Sequence, residues 1–146
     1  MEFLKMKEAH IEAVAELEKL CFSDPWSVNS IASELVNPLS DWLVAVENGL
    51  VVGYVGSQSV LDGADMMNIA VHPDFRKQGI GYGLVTELIR QLREKNVISL
   101  SLEVRVSNES AIGLYRKMGF AVVGKRPGYY RNPREDAYIM RKEFAE

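Results

Sequence analysis

The stretch HPDFRKQGIGYG, His72 to Gly83, follows the apolar run MMNIAV and leads into a segment whose apolar residues recur at helical spacing. Within it Gly79, Gly81 and Gly83 alternate, and Arg76 and Lys77 stand just before them. A strand, a glycine-rich loop and a helix start make an anion site, because unpaired backbone N–H groups and the positive end of the helix dipole converge there. The two cations add formal charge where a diphosphate would lie. By itself the motif reads equally well as a surface loop built for tight turns.

Outward from this loop, the chain is long enough for one domain with one core, residues 1–146. It is 47% hydrophobic and 25% charged, with a formal net charge of −3, which gives no global bias toward nucleic acid or a membrane. Neither is expected as a partner. Cys21 is the only cysteine, so no intrachain disulfide and no cysteine-based zinc site is possible. His10 and His72 are too far apart in sequence to suggest a metal pair, and no metal is expected. The first residues lack the apolar core of a signal peptide, and no apolar run approaches the roughly 18 residues that span a bilayer. A cytoplasmic protein is expected.

Before the loop, Ile11, Val14, Leu17 and Leu20 predict an amphipathic helix over Glu8–Leu20. The segment FSDPWS breaks it, and Ser27 caps a second helix carrying Val28, Ile31, Leu35 and Val36. Two strands joined at Asn48-Gly49 follow, and ADMMNIAVH continues the meander. After the loop, Leu84, Val85, Leu88, Ile89 and Leu92 predict a helix. VISLSLEVRV then reads as a strand, with Leu100, Leu102 and Val104 on one face and Ser101, Glu103 and Arg105 on the other. A short helix starts at Ser107 or Asn108 and ends at Gly119, and FAVVGKR and AYIMRKEF form two strands around a polar aromatic loop, PGYYRNPRED. The fold class expected is mixed α/β, with one mostly antiparallel sheet flanked by helices.

Three phosphate-loop patterns compete for the glycines. The nucleotide-hydrolase loop needs Lys and then Ser or Thr after its last Gly, whereas Gly79 is followed by Ile80 and Gly81. The dinucleotide fingerprint fails because Leu84 stands at its third glycine and an antiparallel hairpin precedes the strand. The third pattern, Arg-x-x-Gly-x-Gly at Arg76, Gly79 and Gly81, resembles the coenzyme A loop of the GNAT superfamily of N-acetyltransferases. The element order β-α-α-β-β-β-α-β-α-β-β also matches that superfamily along the whole chain.

The resemblance implies acetyl-CoA as cosubstrate. Its pyrophosphate would lie on Arg76, Lys77, Gln78, Gly79, Ile80, Gly81 and Tyr82, and its pantetheine arm on the backbone of Ile69, Ala70 and Val71. Acyl transfer from a thioester to an amine needs a neutral nucleophile and a proton for the departing thiolate. Glu103 is a candidate base, although strand alternation by itself favours a solvated acid paired with Arg105. Tyr115 is a candidate acid, although by itself it reads as a core aromatic beside Ile112 and Met118. Asn108 is a helix cap that also suits a cofactor contact.

The strings DPWS, NIAVHPDFRKQGIG, LEVRVSNESAIGLYRKMGF and YYRNPREDAYIM together resemble the RimI family of ribosomal-protein alanine N-acetyltransferases. That resemblance implies that Glu103 is the general base, that Tyr115 is the general acid and that Asn108 touches the cofactor. The acceptor it implies is the N-terminal amine of a protein, typically alanine on the eighteenth small-subunit ribosomal protein. Trp26, Tyr129, Tyr130 and Asp136 are candidates to line the acceptor groove. Gly128 departs from the family pattern, which expects asparagine there. A lysine or small-amine acceptor, and a non-catalytic coenzyme-A sensor, remain alternatives on the same fold.

Overall fold

A computed structural model describes residues 1–144. Its strands are β1 (Glu2–Lys5), β2 (Ser40–Glu47), β3 (Leu50–Val60), β4 (Gly63–Val71), β5 (Ser99–Arg105), β6 (Ala121–Tyr130) and β7 (Glu135–Glu143). The helices are α1 (Ile11–Cys21), α2 (Val28–Val36), α3 (Ile80–Glu94) and α4 (Glu109–Lys117). The strands form one seven-stranded sheet in the order β1-β2-β3-β4-β5-β7-β6. Every neighbouring pair is antiparallel except β4 and β5.

Period-two patterning separates the two faces of the sheet. On β2, Leu43 and Ala45 join the apolar layer beneath α3 and α4, while Trp42 and Val44 join the layer beneath α1 and α2. Leu100, Leu102 and Val104 of β5 lie in the first layer, so Ser101, Glu103 and Arg105 face the other way. There α1 and α2 pack over β2, β3 and β4, which leaves the polar face of β5 beyond their cover. Among the described residues, no helix is long and apolar enough to cross a membrane.

Two expectations need correcting. The apolar stripes of α1 and α2 are not purely apolar: Leu20 is 55% exposed and Val36 is 80% exposed, whereas Glu18 and Glu34 are buried. Glu18 lies four residues after Val14, and Glu34 three after Ile31, so helical spacing puts both carboxylates on the inward stripe. The segment PGYYRNPRED is also mostly strand. β6 continues to Tyr130, with its register broken between Arg126 and Tyr130, and only residues 131–134 turn. As an outer strand, β6 tolerates Pro127, which has no N–H to give to a ladder. Asp136 secures the irregular stretch by accepting the Gly128 N–H at 2.8 Å.

Candidate active site

The single parallel pairing opens the sheet. β4 and β5 pair only over Gly63–Asp65 and Ser99–Ser101, and beyond these residues they share no ladder. A register shift opposite Met66 and Asn68 leaves Met67 bulged just past the last pair. Ile69, Ala70 and Val71 therefore line the mouth of the gap on β4 while they remain paired to β3. The Ile69 N–H is taken by the Asn68 side chain at 3.1 Å.

At the end of β4 the chain passes through Pro73–Phe75 to Gly79, which caps α3 at φ 79° with no side chain over the helix end. Glycine adopts this left-handed geometry without a Cβ penalty. The first-turn amides of Ile80, Gly81 and Tyr82 then have no intrahelical acceptor, the arrangement that receives an anion. Lys77 and Gln78 are exposed beside it. Arg76 is exposed too, but its Nε donates to the Val71 carbonyl at 3.1 Å, which ties the loop back to β4. Gly83 does a different job: a Cβ there would lie 2.3 Å from the Phe3 ring, so it lets β1 close on α3.

The expected acid and base approach this gap from two sides. Asn108 caps α4 by accepting the Ala111 N–H at 3.1 Å. Tyr115, on the buried side of the same helix, directs its hydroxyl to Met66 Sδ at 4.0 Å, across the point where β4 and β5 part. Burial, and then the neighbouring Tyr130, hold its phenol well above the usual range. Glu103 is half-buried and pairs with Arg126 Nε at 3.2 Å rather than with Arg105. Arg105 binds Glu135 at 3.2 Å and also donates to the carbonyls of Arg131 and Pro133.

Aromatic residues surround Glu103. Arg105 lies over the Tyr130 ring at 4.4 Å, and Tyr129 meets Tyr130 edge-on at 5.0 Å. Burial first, then Tyr129 and Glu103, push the Tyr130 phenol up to about 12. Burial and Glu103 raise Tyr129 as well. Asp136 and Glu135 are engaged in structural contacts: the Gly128 N–H lowers the Asp136 carboxyl, and hydrogen bonds from Ser107 lower that of Glu135. Gly128 sits at φ 60°, a geometry that asparagine also tolerates, so the departure from the family pattern preserves the backbone.

On the opposite wall, the corner between α1 and α2 carries Trp26, whose ring lies 5.5 Å from that of Trp42. The corner meets the β6–β7 turn through Ser23 Oγ, which donates to the Asn132 carbonyl at 3.2 Å. The two walls thus join over the mouth of the gap. Sequence reasoning missed Arg126 as the partner of Glu103, and it missed Glu18, which accepts the Trp26 N–H at 2.8 Å. Helical spacing from Val14 was the available signal for Glu18; nothing local signals Arg126, 23 residues away from its partner.

A parting pair of strands, with a bare helix N-terminus at one end and a tyrosine hydroxyl beneath, matches one known architecture. The profile of the acetyltransferase (GNAT) family matches residues 11–120. The chain belongs to that family. This GNAT chain is 41% identical to a Bacillus subtilis (strain 168) protein provisionally named a ribosomal protein bS18-alanine N-acetyltransferase, over 92% of the chain and 90% of the relative. It is 36% identical to the Escherichia coli (strain K12) ribosomal protein bS18-alanine N-acetyltransferase, over 92% of each. The crystal structure of the Escherichia coli ribosomal-protein-S18-alanine N-acetyltransferase superposes with a TM-score of 0.91 at 34% identity, covering 99% of this chain and 94% of that one.

The GNAT family uses acetyl-CoA. The residues present fit it: the unpaired stretch of β4 suits an extended amide-bearing arm, and the bare first turn of α3 suits a pyrophosphate. Among the described residues, no group of His, Cys, Asp and Glu is arranged to hold a metal ion.

Proposed function

We propose that this acetyltransferase acetylates the N-terminal amine of a protein in the cytoplasm, the acceptor being a ribosomal protein that begins with alanine. The observation that carries the reading is the two-walled groove over the β4–β5 gap, with Glu103 in its floor and the Ser23–Asn132 contact across its mouth. A peptide end fits such a groove, and the names of the bacterial relatives supply the acceptor.

Acetyl-CoA supplies the acyl group as a thioester. Glu103 takes the proton that the amine loses as the C–N bond forms, and Tyr115 gives its proton to the sulfur as the C–S bond breaks. An N-terminal amine has a pKa of about 7.7 to 8.0 against about 10.4 for lysine, a difference of roughly 3.4 kcal/mol in obtaining the neutral nucleophile at pH 7. A carboxylate is base enough for that task. Trp26, Tyr129 and Tyr130 flank the acceptor, while Asp136 acts indirectly by fixing Gly128.

The test pairs two peptides with acetyl-CoA and the protein, read by intact mass. One starts with free alanine and lacks lysine; the other has a blocked N-terminus and one internal lysine. One added acetyl group on the first alone is the expected result. Acetylation of the second alone would make the acceptor a lysine side chain and overturn the reading.

A further inference from the structure

Glu18 is 1% exposed, yet it carries a carboxyl group into the apolar layer beneath α1 and α2. Its Oε1 accepts the Trp26 N–H at 2.8 Å, and its Oε2 accepts Asn68 Nδ2 at 2.5 Å and the Tyr54 hydroxyl. None of these partners is a cation. Burying a carboxylate without one is costly, and a leucine at this position would simply extend the stripe of Val14 and Leu17. What a hydrocarbon cannot do is accept hydrogen bonds from three separate segments at once.

Those segments matter by where they lie. Trp26 belongs to the α1–α2 corner, which reaches the β6–β7 turn through Ser23. Asn68 follows the β4 bulge, and its Oδ1 takes the Ile69 N–H at the mouth of the gap. Tyr54 stacks on Trp42 at 5.8 Å, and Trp42 packs on the Trp26 ring, which closes a circuit back to the corner. We propose that Glu18 is a positioning residue, a clasp that fixes the α1–α2 corner against the β4 bulge and thereby sets the width of the acceptor groove. The proposal rests on reading that groove as the acceptor site.

Glu34 supplies a matched control. It is also a buried helix carboxylate, accepting from Trp42 Nε1 at 3.3 Å, Ser40 Oγ at 3.1 Å and Gln58 Nε2 at 2.8 Å. These bonds tie α2 to β2 and β3, and none goes directly to the corner or to β4; Trp42 is the residue they share with the aromatic circuit. Glutamine in place of Glu18 keeps the shape but turns one acceptor into a donor, so either Trp26 or Asn68 loses its partner, whereas all three donors to Glu34 reach its Oε1 and a glutamine oxygen there keeps them.

The experiment compares Glu18→Gln and Glu34→Gln in the full chain by amide hydrogen exchange at Trp26 and Ile69 and by steady-state kinetics with an alanine-starting peptide. For Glu18→Gln, exchange at Trp26 or at Ile69 accelerates and peptide KM rises about tenfold while kcat stays within about threefold, the pattern of lost uniform binding. Glu34→Gln changes neither reading. Unchanged exchange and KM in Glu18→Gln, or equal effects of the two substitutions, overturns the clasp. Should Glu18→Gln fail to fold, Asn68→Ala keeps the carboxylate and its Trp26 bond but cuts the link to β4; faster exchange at Trp26, which Asn68 does not bond, with a raised peptide KM supports the clasp, and unchanged exchange at Trp26 or an unchanged KM overturns it. If the unsubstituted chain leaves the peptide unacetylated, the proposed function falls, and exchange at Trp26 and Ile69 alone decides the clasp.

Discussion

Tyr115 places its hydroxyl against Met66 Sδ and its ring edge-on to Phe120 at 5.6 Å, so removing the oxygen leaves the packing intact. Tyr115→Phe is expected to lower kcat by about 10²- to 10³-fold while coenzyme A affinity, measured by calorimetry, stays within about twofold. Its raised pKa means that the protonated acid persists to higher pH, so tyrosine ionisation sets no alkaline fall in activity below about pH 10. Glu103→Gln is expected to lower kcat/KM by a similar factor, read from the same assay. In sequence, both candidates were singled out by the resemblance of the strings around them, LEVR and LYRKMGF. The partner of Glu103 was not. Alternation puts Arg105 on the same strand face two residues on, but Arg105 is spent on Glu135 and the β6–β7 turn, and Arg126 arrives from a strand outside β7.

At the scale of elements, the three glycines that read as one motif divide their work. Gly79→Val forces a branched residue into left-handed geometry, a cost of about 1–2 kcal/mol, and disturbs the bare α3 terminus; coenzyme A affinity in calorimetry falls with it. Gly83→Ala instead drives a methyl into Phe3 and is expected to lower the thermal midpoint while coenzyme A binding survives. Periodicity located α1, α2, α3 and the meander, because those helices and strands each bury a face. It misread Glu18 and Glu34 because a charged residue on an inward stripe pays its way only through donors that fold in from distant segments. It also misread PGYYRNPRED, where Asp136 holds Gly128 within the strand and Arg105 gathers the turn by bonding the Arg131 and Pro133 carbonyls.

For the whole molecule, the sheet is one continuous surface opened at a single seam, and the two walls above the seam touch through Ser23 and Asn132. On its two sides, burial makes Tyr115 and Tyr130 keep protons that the unfolded chain releases near pH about 10. The stability these phenols contribute is whole below that pH and is lost as pH rises through about 12, the folded value of Tyr130. Equilibrium unfolding from pH 9 upward is expected to show this loss, and Tyr130→Phe is expected to flatten it. The proposed reaction delivers acetyl across the seam to an N-terminal amine. The direct measurement is fragment mass spectrometry of one peptide that begins with free alanine and also carries an internal lysine, after incubation with the protein and acetyl-CoA. The added acetyl is expected on the first residue, with the lysine unmodified. Acetyl on the lysine with a free N-terminus would contradict it.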